Sequence, residues 1–485
     1  MISRRTLLSG LGAAALIPQL PVRAWATTPS KPLQMPPLVD ATSSGQFSLT
    51  AQAGETDFLG RASSRTWGFD QPFLGPTVRL NHAGNTAVAV HNALDQAISV
   101  HWHGLVVPGD VDGGPHQLVD PGQTWSPVLP IDQPPATVWY HSHTHGKTAQ
   151  QVQMGLAGVL HLTDGQDDAR GLPTTYGTDD LTVVLQDRRF DQDGRMSYRV
   201  TMHDQMMGFL GDTMVVNGQV GATAIVPKGV VRLRLLNGSN ARIYTLALSD
   251  GRPMHLIGTD TGLLDAPITL ETLSLAPGER YEVLVDFGNG KDISLLSGQN
   301  VNEGMMGGMM GRRRPSGPPF EVLPFVVDPA APVRITRVPD ALGGSRPNMD
   351  ASSAARRRIT LDMAMGPGMM MRRAEDRFSI NGQAFDMSKI NFKTQVGQVE
   401  KWRVSANMMM HPFHVHGVMF QVLSENGRPP LPQNLGWKDT ILIDGEAEIL
   451  MRFDRPATEA LPYMFHCHIL EHEDGGMMGQ FTVSG

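Results

Sequence analysis

The sequence has little cysteine, no excess of basic charge and few long apolar runs. Its 485 residues include one cysteine, which excludes a disulfide scaffold within one chain. It carries 40 Lys and Arg against 47 Asp and Glu, and this acidic balance argues against a nucleic-acid partner, which would require a basic face. The apolar run from Leu7 to Ile17 is too short to cross a bilayer, which takes about 20 apolar residues. No later stretch is long and apolar enough, so we expect no stable membrane insertion.

The N-terminal segment has the features of a targeting sequence. Arg4 and Arg5 open it, an apolar run follows, and Ala24-Trp25-Ala26 fits the small-x-small pattern of a cleavage site. We therefore predict that residues 1–26 form a twin-arginine signal peptide. The twin-arginine export machinery would then deliver the protein to the periplasm.

Short strand-like runs separated by turn residues dominate the rest of the chain. There are 52 Gly and 35 Pro, and runs such as 86–90, 230–236 and 281–285 are rich in Val and Leu. Many short strands at this spacing are typical of β-sandwiches and barrels. We predict an all-β protein with domains at residues 45–165, 166–335 and 358–485, and a linker at 336–357.

Most of the histidines occur in four short segments, each of which contains a His-x-His pair. Ten of the 17 are placed there, namely His101, His103, His141, His143, His411, His414, His416, His466, His468 and His472. Residues i and i+2 of a strand point to one face, about 6–7 Å apart along the chain. Eight imidazoles in four such pairs can therefore converge on one site for several metal ions.

Cys467, between His466 and His468, points to the opposite face of the same predicted strand. His411, Cys467 and His472 together supply two imidazoles and one thiolate, and Met477 follows the cysteine by ten residues. Two His, one Cys and a weak axial Met form the ligand set of blue-copper sites, which transfer single electrons. Zinc would fit three of these ligands but would give the arrangement no redox use. An inert buried cysteine is the alternative, but it leaves the flanking histidines unexplained.

Further motifs extend along the chain. They are Val111-Asp112-Gly113-Gly114-Pro115, His145-Gly146-Lys147-Thr148, Leu235-Leu236-Asn237-Gly238, Asn381-Gly382-Gln383-Ala384-Phe385 and Glu471-His472-Glu473-Asp474. With the histidine segments, they resemble the laccase-like multicopper oxidases, closest to the bacterial periplasmic cuprous oxidases of copper tolerance. The resemblance implies three cupredoxin-like Greek-key domains, with copper ligands in the first and third. The sequence agrees, because no His-x-His pair occurs between residues 164 and 355.

The resemblance implies four copper ions. A type 1 copper would take His411, Cys467 and His472, with Met477 axial. A type 2 copper would take His101 and His414. One type 3 copper would take His103, His141 and His468, and the other would take His143, His416 and His466. The division between type 2 and type 3 ligands rests on the resemblance alone.

The implied reaction couples one-electron oxidation of a reductant to reduction of dioxygen to water. Cys467 would conduct the electrons from the type 1 copper to the trinuclear site. Asp112 and Glu473 match positions with proton-supply roles in the family, and carboxylates beside a cationic cluster relay protons or orient ligands. The alternative for Asp112 is a turn residue in its Asp-Gly-Gly-Pro loop.

Methionine is abundant, and several of the 28 residues are clustered. Thioethers select Cu(I), so we predict Met363 and Met409, with the nearby carboxylate Asp362, as candidates for a Cu(I) substrate site. Two features depart from the family. Asn407 stands where the family has a substrate-site carboxylate, and the methionine-rich insert is short and lacks histidines.

Three functions compete. We expect a cuprous oxidase of periplasmic copper tolerance, with Cu(I) as reductant and dioxygen as acceptor. A laccase-like oxidase of phenols or aromatic amines shares the mechanism and differs only in the electron donor. A copper-free cupredoxin-fold protein that is a structural partner in cell division is the third, and the complete ligand set argues against it. The other seven histidines, His145 among them, are predicted to be structural or on the surface.

Overall fold

The described structure contains six β-sheets, arranged as three pairs along the chain. The computed structural model describes residues 31–300, 302, 318–363, 377–406 and 408–485. The predicted signal peptide at residues 1–26 lies outside these residues. No helix in the described segments is long and apolar enough to cross a membrane. The prediction of an all-β chain is confirmed.

The first pair of sheets lies within residues 38–163, called the first region. A short strand, β1 (Lys31–Pro32), precedes this region. The elements of the region are β2 (Leu38–Asp40), β3 (Gln46–Thr56), β4 (Ser64–Phe69), β5 (Thr77–Asn81), β6 (Ala83–Asn92), β7 (Thr124–Trp125), β8 (Val128–Asp132), β9 (Ala136–His141), α1 (Thr148–Met154) and β10 (Ala157–Thr163). One sheet has the order β2-β5-β10-β9, and the other has β4-β3-β6-β7 with β8 also on β6. Thr86, Val88 and Val90 of β6 are buried and alternate with more exposed neighbours, because successive side chains of a strand point to opposite faces.

The second pair of sheets lies within residues 180–328, called the middle region. Its elements are β11 (Asp180–Phe190), β12 (Met196–Ser197), α2 (Met202–Met207), β13 (Thr213–Val216), β14 (Ala222–Pro227), β15 (Val230–Asn237), β16 (Tyr244–Leu248), β17 (Met254–Thr259), β18 (Gly262–Leu270), β19 (Leu273–Leu275), β20 (Arg280–Asp286), β21 (Ile293–Ser297) and β22 (Phe320–Asp328). The sheet orders are β12-β11-β15-β20-β17-β18, with β13 also on β11, and β1-β14-β22-β21-β16-β19. The N-terminal β1 therefore joins the middle region, parallel to β14, with Lys31 opposite Ala222.

The third pair lies within residues 355–485, called the third region. Its elements are β23 (Ala355–Met363), β24 (Phe378–Ile380), β25 (Phe392–Gln395), β26 (Val399–Ala406), β27 (His411–Val415), β28 (Phe420–Glu425), a 3-10 turn (Pro432–Asn434), β29 (Thr440–Ile443), β30 (Glu446–Arg452), β31 (Tyr463–Cys467), α3 (Leu470–Asp474) and β32 (Met478–Ser484). The sheet orders are β24-β23-β26-β30-β28 and β25-β32-β31-β27-β29. The aromatic side chains of Trp402, Phe413 and Phe465 are buried in one apolar cluster of this region.

Apolar contacts join the regions. Trp139 and Val159 of the first region share a buried cluster with Val184 and Leu236 of the middle region. Residues of α1 pack against Leu470 of α3, so the first region also contacts the third. The predicted domain boundaries stay a prediction, and three strands extend beyond them: β1, β2 and the start of β23.

Candidate metal centre

Three of the His-x-His pairs lie at the ends of strands β9, β27 and β31, with the second histidine just beyond the strand, and the fourth pair begins at an isolated bridge. His101 forms an isolated antiparallel bridge with His141, the last residue of β9. β27 and β31 are antiparallel neighbours, with His414 opposite His466 and Phe413 opposite Cys467. Because side chains alternate along a strand, His466 and Cys467 point to opposite faces of the sheet. The two faces serve two separate groups of side chains.

The first group, called the cysteine group, consists of the buried residues His411, Cys467 and His472. His411 Nδ1 lies 3.3 Å from Cys467 Sγ and 3.3 Å from His472 Nδ1, and Sγ lies 3.8 Å from His472 Nδ1. The Ile469 N–H donates to Sγ at 3.3 Å. The Nε2–H of His472 donates to the Met206 carbonyl at 3.1 Å, which leaves the Nδ1 lone pair of His472 facing the sulfur.

The surroundings of the cysteine group are apolar. Phe378 stacks on the ring of His472 with centroids 4.3 Å apart. Met477 is buried in the same apolar cluster as Cys467, and its carbonyl accepts a hydrogen bond from the Cys467 N–H at 3.1 Å. The predicted axial residue therefore lies beside the cysteine, and its role as a ligand stays a prediction.

The second group, called the histidine cluster, contains the remaining eight imidazoles of the four pairs. Three sets each bring their ligand atoms within 4.8 Å of one another: His101, His103 and His414; His103, His141 and His468; His143, His416 and His466. Rings from the two regions meet closely, with 3.4 Å between the Nε2 atoms of His101 and His414 and 3.2 Å between those of His143 and His466. Two sets coincide with the predicted type 3 ligands, and the predicted type 2 pair lies in the other. The ligand roles themselves stay predictions.

The ring nitrogens of this cluster divide into bonded and unbonded atoms. The Nδ1–H groups of His101, His141, His414 and His466 donate to the carbonyls of Asp112, Ser142, Asp439 and Cys467, at 3.0, 2.9, 2.9 and 3.0 Å. Because a carbonyl only accepts, each Nδ1 carries the proton and each Nε2 keeps its lone pair. Among the described residues, His103 Nδ1, His141 Nε2 and both ring nitrogens of His468 have no hydrogen-bond partner. Buried, convergent and unpartnered imidazole nitrogens fit copper ions, which imidazole binds well.

Burial also favours the neutral form of the eight imidazoles named next. It lowers the pKa of His411 to about 3 and that of His414 to about 4. Burial likewise lowers the pKa of other rings well below its ordinary value, those of His103, His141, His143, His416, His468 and His472. For Cys467, burial raises the pKa of the thiol. A bound cation would displace that proton and stabilise the thiolate.

Two carboxylates border the histidine cluster. Asp112 Oδ2 accepts from the His416 Nδ1–H at 2.7 Å, while Asp112 Oδ1 has no hydrogen-bond partner in the described part of the chain. Glu473 lies between two imidazoles, 3.4 Å from His143 Nδ1 and 3.2 Å from His466 Nδ1. Burial raises the pKa of Glu473, and its interactions with neighbouring donors, that of His466 among them, bring it below its usual value. Asp112 faces two imidazoles through Oδ2 alone, which also lies 3.4 Å from His101 Nδ1, whereas each oxygen of Glu473 faces a different ring.

Sequence reasoning missed the residues that contact the candidate ligands from outside. Asp439 Oδ1 accepts from the His103 Nε2–H at 3.0 Å, and Thr440 Oγ1 lies 3.1 Å from the same nitrogen. Asp439 is 336 positions from His103 along the chain, and no spacing links the two. The histidines were found because their pattern repeats, and single acidic or aromatic residues such as Asp439 and Phe378 give no such signal.

Two of the three candidate Cu(I) residues lie in one apolar cluster, and the substrate site itself stays a prediction. Met409 is buried and Met363 partly buried in the apolar cluster of the third region. Asp362 accepts a hydrogen bond from the Gly382 N–H at 2.9 Å, and it belongs to none of the convergent ligand sets found among the described residues. Asn407 and most of the methionine clusters lie outside the described residues.

Comparisons with known proteins identify the family. Sequence profiles described as multicopper oxidase match residues 50–167, 137–294 and 358–485. The chain belongs to the multicopper oxidase family.

Solved structures share the fold. The laccase-like multicopper oxidase CueO from the lignin-degrading bacterium Ochrobactrum sp. is 42% identical with a TM-score of 0.85, over 93% of this chain and all of that one. McoA from Aquifex aeolicus is 30% identical with a TM-score of 0.81, over 94% of this chain and all of that one. The predicted class of three cupredoxin-like domains is confirmed.

Curated relatives carry a different kind of name. Cell division protein FtsP of Xenorhabdus nematophila is 38% identical over 100% of this chain and 99% of its own length, and the Escherichia coli K12 protein of that name is 36% identical with the same coverage. The prediction of a cuprous oxidase of copper tolerance, placed ahead of a role in cell division, is therefore wrong. The complete set of candidate copper ligands was the argument against a role in cell division. Such ligands indicate the chemistry of a site and do not determine the cellular process in which the protein acts.

Proposed function

We propose that this chain acts in cell division and carries a copper centre with oxidase activity, with dioxygen as electron acceptor. The shared name of the full-length curated relatives supports the first part. One observation carries the second: ten buried histidines and Cys467 converge in two groups, and the histidine cluster has unpartnered ring nitrogens among the described residues. Burying polar groups without partners costs stability, so a purely structural role gives no reason to keep them.

Four copper ions fit the donor sets. His411, Cys467 and His472 would hold one, with Met477 as a further candidate ligand, and the histidine cluster would hold three in the sets given above. When bound, copper supplies one-electron redox chemistry, which allows single electrons from a donor to serve the four-electron reduction of dioxygen to water. The chain contributes a short connection between the groups, since the His466 Nδ1–H donates to the Cys467 carbonyl at 3.0 Å.

The electron donor would reach the cysteine group from its aromatic side. A cavity of about 490 Å³ is lined in part by Tyr198, Phe378 and Glu471. Phe378 also stacks on His472, so a molecule in the cavity would be one aromatic ring away from a candidate ligand. We propose a small one-electron reductant as the occupant.

The two carboxylates have different parts in this scheme. Asp112 Oδ1 is buried and unpartnered among the described residues, so it can hold a proton beside the cluster and release it. Glu473 contacts the Nδ1 atoms of both His143 and His466, which suits it to orient these rings. We therefore propose a proton relay through Asp112 and a mainly orienting role for Glu473.

The proposed place of action is the periplasm, reached through the twin-arginine machinery. The Arg4-Arg5 pair and the Ala24-Trp25-Ala26 site support this.

The oxidase part is tested by a metal count on purified protein, with visible and EPR spectra and an oxygen electrode. We expect about four copper ions per chain, an intense visible band of a Cu(II)–thiolate bond, and oxygen consumption with a one-electron donor. A fully loaded preparation that holds only zinc, or that is colourless and consumes no oxygen, would contradict the oxidase part.

The cell-division part is tested in the source bacterium. Deleting the gene should produce elongated or chained cells, and the wild-type gene should restore normal division. A gene with Arg4→Lys and Arg5→Lys should fail to restore it because export is blocked, whereas Arg23→Lys, in the same segment but outside the pair, is the matched control. Normal division of the deletion strain would contradict this part, and rescue by the double variant would contradict the export route.

A further inference from the structure

The middle region supplies none of the ten histidines, yet it forms part of the wall of the histidine cluster. Gly278 has φ +83°, and a Cβ there would lie 2.8 Å from His468 Cδ2. Gly104, directly after His103, has φ +94°, and a Cβ there would lie 2.6 Å from Arg280 Nη2. Both positions favour glycine because of their positive φ and because no space remains for a side chain.

Arg280 is the buried cation at this contact. Its Nη1 and Nη2 atoms donate to Asp439 Oδ1 and Oδ2 at 2.8 and 2.5 Å, and both side chains are at most 1% exposed. The remaining donors reach main-chain carbonyls of Gly278, Asp260 and Thr137, at 3.0, 2.7 and 3.3 Å. A guanidinium held by two parallel bonds to a carboxylate fixes the orientation of that carboxylate.

Asp439 in turn accepts hydrogen bonds from two imidazoles of different regions, and so orients both rings. Its Oδ1 accepts from the Nε2–H of His103 in the first region at 3.0 Å. Its carbonyl accepts from the Nδ1–H of His414 in the third region at 2.9 Å. The bond to Nε2 places the proton of His103 there and leaves Nδ1 to face the cluster, the opposite tautomer from that of His414.

A second residue of the middle region holds the main chain at the same place. Asp260 Oδ2 lies 3.3 and 3.2 Å from the N–H groups of Asp439 and Thr440, which donate to it. It also pairs with the buried Lys438 Nζ at 3.1 Å. The carboxylate and the backbone of Asp439 are therefore both fixed by the middle region.

We propose that Arg280 is a positioning residue of the metal centre: by holding Asp439 it sets the tautomer and ring orientation of His103, and so prepares the histidine cluster for metal. The inference rests on the proposed function, since it requires that the cluster binds copper. Without Arg280, Asp439 would be a buried charge without its main partner, and it would rotate or take up a proton. Loss of such outer partners costs about 10–100-fold in metal affinity.

A buried ion pair in the same region provides the matched control. Arg232 donates through Nε and Nη2 to Glu282 Oε2 at 2.8 and 2.5 Å, and the pair is 2% exposed. Its other acidic partner is Asp167, and none of these residues is a candidate ligand. Arg232 and Arg280 therefore match in burial and charge and differ in their connection to His103.

The test compares Arg280→Met and Arg280→Lys with Arg232→Met and Arg232→Lys. Copper per chain is measured after dialysis against graded chelator, together with the thiolate band, the EPR signal and thermal unfolding of the copper-free proteins. Arg280→Met should weaken copper binding at the histidine cluster about 10–100-fold while the thiolate band keeps its wild-type intensity. Arg280→Lys should show a smaller loss, and both Arg232 variants should lose stability only.

Equal copper retention in the Arg280 and Arg232 variants would overturn the proposal, and so would parallel loss of the thiolate band and the cluster copper in Arg280→Lys. Should Arg280→Met fail to fold, the two lysine variants carry the comparison, because they keep the buried positive charge. A wild-type protein that takes up no copper would instead contradict the proposed oxidase function and this inference with it.

Discussion

The two ligand groups of this protein are built in contrasting ways. The cysteine group takes all its members from the third region, and its surroundings are apolar. The histidine cluster takes four rings from the first region and four from the third, and it is bordered by Asp112, Glu473 and Asp439. The middle region contributes only the Met206 carbonyl that holds His472, so all candidate ligands of the cysteine group lie in one region, whereas those of the histidine cluster meet only when two regions dock. Changes in one group should therefore leave the other measurable.

The largest effect is expected from Cys467→Ser. Serine cannot supply the soft thiolate, so the intense visible absorption and all turnover with a one-electron donor should be lost. The histidine cluster, which does not include this sulfur, should keep its copper and its EPR signal. A variant that stays blue and active would show that Cys467 is not the ligand, and loss of copper from both groups would contradict their independence.

Copper removal should be the next largest effect. Ligands that bind only the folded state stabilise it by about 4 kcal/mol at a thousandfold excess over Kd. Chelation should therefore lower the unfolding temperature clearly, as measured by calorimetry. Because the histidine cluster joins two regions and lacks Cys467, chelation should lower the unfolding temperature of the Cys467→Ser variant by most of the decrease seen in the wild type. An unchanged unfolding temperature on chelation would contradict copper binding between the regions.

Substitutions at Asp112 and Glu473 should distinguish an effect on proton transfer from an effect on copper binding. Asp112→Asn can still accept from His416 but cannot release a proton, so turnover should fall about 10–100-fold with copper content retained. Glu473→Gln should instead weaken copper binding by a similar factor, since it loses its charge beside His143 and His466. Oxygen-electrode rates and metal analysis of both variants provide the check. Identical behaviour of the two would contradict the different roles proposed for them.

The smallest effect is expected from Met477→Leu. The swap conserves volume, so the free energy of unfolding should change by less than about 1.5 kcal/mol. The colour should persist and the reduction potential of the cysteine group should rise, because loss of a weak axial donor destabilises Cu(II) more than Cu(I). A redox titration that follows the visible absorption band measures the reduction potential. An unchanged or lowered potential would count against Met477 as the axial ligand.

The sequence was most informative where a pattern repeats. Four His-x-His pairs and the His-Cys-His segment predicted two groups on opposite faces of one strand, because alternation is a local property of the chain. The all-β class followed from short apolar runs between Gly and Pro, and the family from motifs along the chain.

Contacts between residues far apart in the sequence could not be predicted from a repeating pattern. Asp439 meets His103 and Arg280 only through docking of three regions, and an isolated carboxylate has no periodicity to mark it. The Cu(I) site at Asp362, Met363 and Met409 stays a prediction, because soft side chains close in sequence to a ligand are also common packing residues. The cellular role was beyond this kind of reasoning altogether, since the ligands of a site do not name the process it serves.

The parallel pairing of β1 with β14 bears on how the chain is made and exported. Lys31 is synthesised long before Ala222, its partner in the sheet, while folding during synthesis proceeds from the N-terminus. The start of the chain therefore stays unpaired until the middle region has emerged from the ribosome. Only Thr27 to Ser30 separate the predicted cleavage site from this strand, and the strand can pair only after the chain has been made as far as Thr223, less than half of its length. A purification tag fused directly before Lys31 would interfere with that pairing, and a flexible spacer should relieve it.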